Sequence, residues 1–248
     1  MKNKMVTVIT FIVVILIWYA VSFKVNPLFV PSPVDVWENA KLLWSTGQLQ
    51  MAIKWTFRRI FIASCLSGAV AIPLGLLIYN FNIFKDTVYP IVSLIRYVPV
   101  TAFYPLLILW LGIGEEMKIA FLFVSTFVYM MPSVLLSLEE INPDLIDTGL
   151  TMGMNKFQII TKIQLPATLP SILNSFIMCF GIGFTYCAVC ETINAQYGLG
   201  YMIQQSSSRG RTDLVFVGLI AIMVISFLFD NIAKFLVRKI FRWRYIND

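Results

Sequence analysis

The sequence predicts an all-α integral membrane protein with six transmembrane helices. Three observations carry that prediction. Of 248 residues, 58% are apolar and only 13% are charged, with a mean hydropathy of +0.80; a soluble domain carries about 25% charged residues. Several apolar runs approach the ~20 residues a helix needs to cross a bilayer. None of these runs alternates with the period of two that a membrane β-barrel requires. The runs place spans at 5–23, 55–79, 87–113, 117–138, 171–190 and 214–237, with an outer interfacial helix at 33–46 and a polar loop at 139–170, all within a single transmembrane domain, 1–248.

The first span, Met5–Phe23, follows Lys2 and Lys4, and a basic start of this kind places the N-terminus in the cytosol. Ala20-Val21-Ser22 faintly resembles a signal cleavage site. The apolar run is longer than the roughly 7–15 residues of a signal core, which favours a retained helix. In the next stretch Ser32, Pro33 and Asp35 suit the N-cap, N1 and N3 positions of a helix. Val36, Trp37, Ala40, Leu43 and Trp44 then share a face, which either lies in the outer membrane interface or packs on the bundle.

The second span, Trp55–Tyr79, carries Gly68, Pro73 and Gly75, which suit close packing and a kink. Asn80–Asp86 reads as a short cytosolic turn. Thr87–Gly114 contains Pro90, Pro99 and Pro105, so one straight helix is not expected. A short helix to Tyr97, a break at Val98-Pro99 and a span to Leu111 fit better. Met117–Leu138 returns to the cytosol, Ser171–Cys190 goes out, and Leu214–Val237 comes back. Both termini are then cytosolic. The positive-inside bias is small and comes from the tail, Lys234 to Arg244.

The net charge of +6 sits largely in that tail, beside a membrane helix, so it does not point to nucleic acid. The absence of histidine excludes histidine metal ligation and any Ser-His-Asp arrangement. No catalytic group, metal or cofactor is expected. Cys65, Cys179, Cys187 and Cys190 all lie in apolar spans. The Cys187-x-x-Cys190 spacing on a membrane helix reads as packing rather than redox or metal chemistry. The chain has no G-x-x-x-x-G-K-[ST] phosphate loop, and Gly112-x-Gly114 runs into Glu115 and Glu116.

The polar loop is the most informative passage. Asn142 suits an N-cap with Pro143 at N1, and Asn155 suits a second N-cap, whose helix Pro166 is expected to end. Ile146, Gly149, Leu150 and Gly153 fall at helical spacing on one face. Asp147-Thr148-Gly149, three residues, Gly153, nine residues, then Ile163-x-Leu165-Pro166 matches the spacing of the EAA loop of ABC-importer permeases. The Gly, Ile, Leu and Pro match in place. The E-A-A triplet is Asp-Thr-Gly here, a departure that keeps the acid and the small residues.

From about Leu28 to Trp243 the chain resembles the permease subunit of nitrate/sulfonate/taurine/bicarbonate-type importers. The resemblance rests on FVPSPVDVW, on FRRIFIASCLSGAVAIPLGLL, on LIRYVPVTAFYPLLILWLGIGEEMKI and on CETINAQYGLGYMIQ, in that order. It implies the type I ABC importer permease fold with a cytosolic coupling helix in the EAA loop. It also implies a homodimer in the cytoplasmic membrane, two cytosolic ATP-binding subunits and an extracytoplasmic substrate-binding protein. Asp147, Thr148, Gly149, Gly153, Ile163, Leu165 and Pro166 become the ATPase-coupling residues.

Arg96, Pro99 and Glu191 are the pathway candidates. Arg96, beside the Pro99 break, either lines the path or snorkels to the interface. Glu191, at the outer end of an apolar helix, faces the path, pairs with Arg58 or Arg59, or helps hold the outer gate. Asp230, in the last span, reads as a helix–helix hydrogen-bonding group. Two rival functions remain. A secondary transporter or channel with its own ion coupling would use the broken helix, and a membrane-embedded enzyme would need clustered polar groups that the spans lack.

Overall fold

The computed structural model describes residues 2–245, and every regular element among them is helical. In chain order these are α1 (Lys2–Ser22), α2 (Pro33–Ser45), α3 (Gln48–Asn80), α4 (Asn82–Ile95), α5 (Phe103–Leu111), α6 (Glu115–Glu139), α7 (Pro143–Thr151), α8 (Lys156–Ile159), α9 (Leu165–Cys190), α10 (Leu199–Ser208) and α11 (Thr212–Ile240). A π turn, Ile160–Gln164, joins α8 to α9 without a break.

Among the described residues four helices are long and apolar enough to cross a bilayer: Gln48–Asn80, Glu115–Glu139, Lys156–Cys190 and Thr212–Ile240. A fifth crossing is available if α4 and the segment Val100–Leu111 form one broken span, bent by 87°. The bend falls at the expected Val98-Pro99 break. α1 is apolar over Ile9–Ser22, a shorter stretch, so the expected count of six depends on both α1 and the bent pair.

The chain divides into two compact units, one formed by residues 1–57 and 191–225, the other by 58–190 and 226–248. In the first, Val36, Leu43, Leu49, Ala52, Leu199 and Val217 are buried together. Trp18 stacks on Phe216 at 5.5 Å and donates its indole N–H to the Pro31 carbonyl at 3.1 Å. The α2 cap forms as expected, with the Asp35 N–H donating to the Ser32 hydroxyl at 3.1 Å. Val36 and Leu43 turn inward, while Trp37 and Trp44 remain exposed, so the face read as one is divided.

In the second unit α6 packs along α9. Met130, Met131, Val134, Leu138, Ile172 and Cys179 form the centre of that core. Lipid tails are as apolar as leucine, so helices here associate by close packing, and small residues mark the contacts. A Cβ on Gly75 would lie 2.6 Å from Val134, and one on Gly183 would lie 2.7 Å from Ile60. The Ser67 and Thr126 hydroxyls pair at 2.6 Å, satisfying two buried polar groups. Cys179, Cys187 and Cys190 are buried in the core, and Cys65 is exposed.

Three expectations are corrected. Pro166 does not end a helix: the chain is helical from Lys156 to Cys190, through both Pro166 and Pro170. The π turn just before Pro166 moves the hydrogen bonding from i−4 to i−5, and that wider turn accommodates a ring with no N–H. Asn80–Asp86 is not an open turn, because Phe81 alone separates α3 from α4. Asp230, expected to bond a neighbouring helix, instead takes Lys234 of its own helix at 2.8 Å, an i,i+4 pair.

Candidate functional site

The polar loop is built by local rules at each joint. Asn142 caps α7, its side-chain oxygen accepting the Asp144 N–H at 3.0 Å, with Pro143 in the first turn. The other end of α7 closes as a Schellman motif. The Gly153 N–H donates to the Leu150 carbonyl at 2.9 Å, and the Met154 N–H to the Gly149 carbonyl at 3.0 Å. Both bonds require the residue after the cap to be left-handed, and Gly153 has φ +76°. Asn155 then opens α8 with a capping box: the Gln158 N–H donates to its side chain, and its own N–H donates to Gln158, each at 2.9 Å.

The motif spacing follows from one contact. Gly149 is buried, and a Cβ there would lie 2.5 Å from the Cδ1 of Ile163 and 3.5 Å from the sulfur of Met154. The glycine thus lets α7 rest directly on the π turn. The expected four-residue face is divided accordingly. Ile146 and Gly149 turn inward, and Leu150 and Gly153 are exposed.

Gln164 anchors the whole device. It is buried, and its amide exchanges two hydrogen bonds with Asn80 at the end of α3, at 2.7 and 3.0 Å. Ile163 and Leu165 are half-buried on either side of it, and Pro166 is exposed. The outer surface of the loop carries Asp147 and Thr148, both exposed. Leu145, Leu150, Met152 and Phe157 are exposed beside them, the last two at 72% and 73%. Of these four, helical spacing in the sequence names only Leu150, as part of the Gly149 face; Leu145, Met152 and Phe157 were not singled out.

The pathway candidates fall in separate places. Arg96 is exposed just past the end of α4 and lies over its neighbour Tyr97, 4.9 Å from the ring centroid, donating to the Tyr97 hydroxyl at 2.9 Å. It also borders a crevice of about 110 Å³ with Ser93 and Glu139. Pro99 is exposed at the start of the 3-10 turn Val100–Ala102. Glu191 is fully buried. Its carboxylate accepts the Thr56 hydroxyl at 2.8 and 2.9 Å and the Gly200 N–H at 2.8 Å. Thr56 in turn accepts the Leu199 N–H at 2.9 Å. Glu191 and Thr56 therefore satisfy the free amides at the start of α10, where an anion also meets the positive end of the helix. Gly198, φ +142°, leaves no room for a side chain: a Cβ there would overlap the Glu191 carboxylate.

A second ionic group was missed. Arg59 grips Glu115 with two bonds of 2.7 Å, and Lys118 reaches the same carboxylate at 3.2 Å. Arg59 and Lys118 are buried, whereas the Glu115 side chain is 43% exposed. The signal lay in Glu115-x-x-Lys118, an i,i+3 pair within one helix turn.

Apolar helices packed on glycines thus carry one polar loop, capped at its joints and held at its base by Asn80 and Gln164. The chain belongs to the family of binding-protein-dependent transport system inner membrane components, whose model matches residues 71–242. It is 28% identical over 241 residues to the taurine transport system permease protein TauC of Escherichia coli (strain K12), covering 94% of this chain and 88% of that one. SsuC of Bacillus subtilis (strain 168), assigned to aliphatic sulfonates transport, is 27% identical over 234 residues, covering 94% of this chain and 85% of its own length. The fold is that of the permease in inward-facing structures of the MetNI methionine ABC transporter, with a TM-score of 0.69 at 24% identity over 77% of this chain and 95% of that one. By family and relatives the protein is the membrane permease component of an ABC importer, a multi-pass protein of the inner membrane.

Proposed function

We propose that this permease works as a homodimer that moves a small organic anion, sulfonate-like, inward across the membrane. An extracytoplasmic binding protein delivers the solute, and two cytosolic ATP-binding subunits hydrolyse the ATP. Counting α1 and the bent pair as crossings gives six spans, with both termini and the polar loop on the cytosolic side.

The observation that carries the reading is the geometry of the loop. Its backbone is fixed by two caps, a Schellman turn and the Asn80–Gln164 amide pair. Its outer surface offers Leu145, Leu150, Met152 and Phe157 around the exposed Asp147. A rigid base under an apolar patch with a polar rim is what a force-transmitting contact needs. Gly149 and Gly153 shape the turn, Ile163 and Leu165 seat it on the membrane helix, Pro166 follows the π turn, and Asp147 and Thr148 meet the partner. The sulfonate reading is supported by the likeness to the taurine and aliphatic-sulfonate permeases.

The 87° break between α4 and α5 favours one rival, a secondary transporter with its own ion site. Proteoliposomes decide between them. The permease reconstituted with its ATP-binding subunits and binding protein takes up taurine or an alkanesulfonate only with ATP. Uptake driven by an ion gradient, without ATP or partners, sinks the importer mechanism.

A further inference from the structure

The first unit contains a cavity of about 450 Å³ for which the coupling loop has no use. That is within the roughly 300–1,000 Å³ of ordinary small-molecule sites. One wall is α10 and its C-cap, where Tyr201, Gln205 and Arg209 follow one another at four-residue spacing. Met51 of α3 and Met202 of α10 supply apolar lining, and Tyr197 supplies an aromatic face.

Three features give the cavity a chemical preference. No Asp or Glu among the described residues lines it. The Arg209 guanidinium makes no hydrogen bond or ion pair among them, whereas neighbouring Arg211 is held by Asp213 at 2.7 Å. The Tyr201 hydroxyl accepts from the Gln205 amide at 2.8 Å, which leaves its own O–H to donate. A guanidinium and a phenol O–H in a lining without an acid make a receptor for an oxyanion, and the Glu191 carboxylate behind Gly198 is buried on Thr56 and Gly200.

The walls are also fixed in advance. Tyr197 stacks on Trp55, centroids 6.1 Å apart and planes within 14°. The buried Glu191 carboxylate pins the first turn of α10 through the Gly200 N–H at 2.8 Å. A preformed site loses less entropy on binding than one that must order first.

We infer that this cavity binds a small organic anion, its oxyanion on Arg209 and the Tyr201 hydroxyl, its body against Met51, Met202 and the Tyr197 ring. The inference rests on the importer reading only in taking that anion to be the carried solute.

The test uses the assembled transporter, permease with its ATP-binding subunits in nanodiscs, without the binding protein. Benzenesulfonate is the probe and benzenesulfonamide its neutral counterpart, measured by equilibrium dialysis. The expected result is saturable binding of benzenesulfonate, one per permease chain, with the sulfonamide at least about tenfold weaker. Arg209→Gln weakens the sulfonate by about tenfold or more, Arg209→Lys restores part of it, and Tyr201→Phe costs a few-fold. Retention of the ATP-binding subunits is measured on every variant and stays normal. No saturable binding, equal binding of the two probes, or an unchanged affinity in Arg209→Gln overturns the inference. ATP-driven uptake without binding at this cavity overturns it and leaves the importer reading standing. Binding without ATP-driven uptake does the reverse.

Discussion

Gly153 is the residue on which the loop can be tested most sharply. Its φ of +76° is left-handed, and nothing lies within 4 Å of where a Cβ would stand. A Cβ there meets none of the described residues, so the cost of adding one is conformational. For alanine it is about 1–2 kcal/mol, and a β-branched valine lies at or above the upper end. The chain can escape by leaving the left-handed region, but it then loses the 2.9 Å Gly153–Leu150 bond and the 3.0 Å Met154–Gly149 bond. Two such bonds are together worth about 2 kcal/mol net. Either route weakens the formed turn by about 2 kcal/mol, roughly thirtyfold in its population. Gly153→Val should therefore insert normally, co-purify poorly with the ATP-binding subunits and show weak substrate-stimulated hydrolysis. Gly153→Asn is the decisive companion, because asparagine tolerates the left-handed region. It should stay close to the parent, whereas a requirement for empty space at the partner surface would impair it as much as valine. Normal docking and hydrolysis in Gly153→Val would refute the argument.

Two further outcomes follow from the charged groups. Glu191→Gln keeps the shape but leaves one of its bonded partners, the Thr56 hydroxyl or the Gly200 N–H, poorly matched in a fully buried site; it should destabilise the protein by about 1–3 kcal/mol, read as a lower melting temperature of the detergent-solubilised protein, and a melting curve identical to the parent would remove its structural role. Arg96→Gln changes an exposed side chain whose hydrogen bond is to Tyr97, so stability should stay within about 0.5 kcal/mol while uptake falls if the side chain meets the solute; unchanged uptake in reconstituted membranes excludes Arg96 from the path.

Much of this site could be read from local rules, and what could not be read has a common physical form. The caps at Asn142 and Asn155 and the turn at Gly153 depend on neighbours a few residues away, so residue type and spacing were sufficient to place them. The break at Val98-Pro99 was similarly local, since a proline restricts the residue before it. Pro166 misled because the same rule has an exception that sequence does not announce: a π turn ahead of the ring absorbs it, and the helix continues. The partners of buried polar groups were not legible at all. Gln164 meets Asn80 across 84 residues, and Arg59 meets Glu115 across 56. Each helix of such a pair has its own complete apolar pattern, and nothing in either pattern names the other. The division of the α7 face shows where the two kinds of information meet. Helical spacing put Gly149 and Gly153 on one line, but Gly153 lies past the end of α7, and Ile163, brought against Gly149 by the return of the chain into the membrane, makes one glycine a packing surface and leaves the other a backbone hinge. The two glycines of the motif therefore make different demands on substitution: Gly149 excludes a side chain for want of space, and Gly153 excludes one for want of an allowed φ.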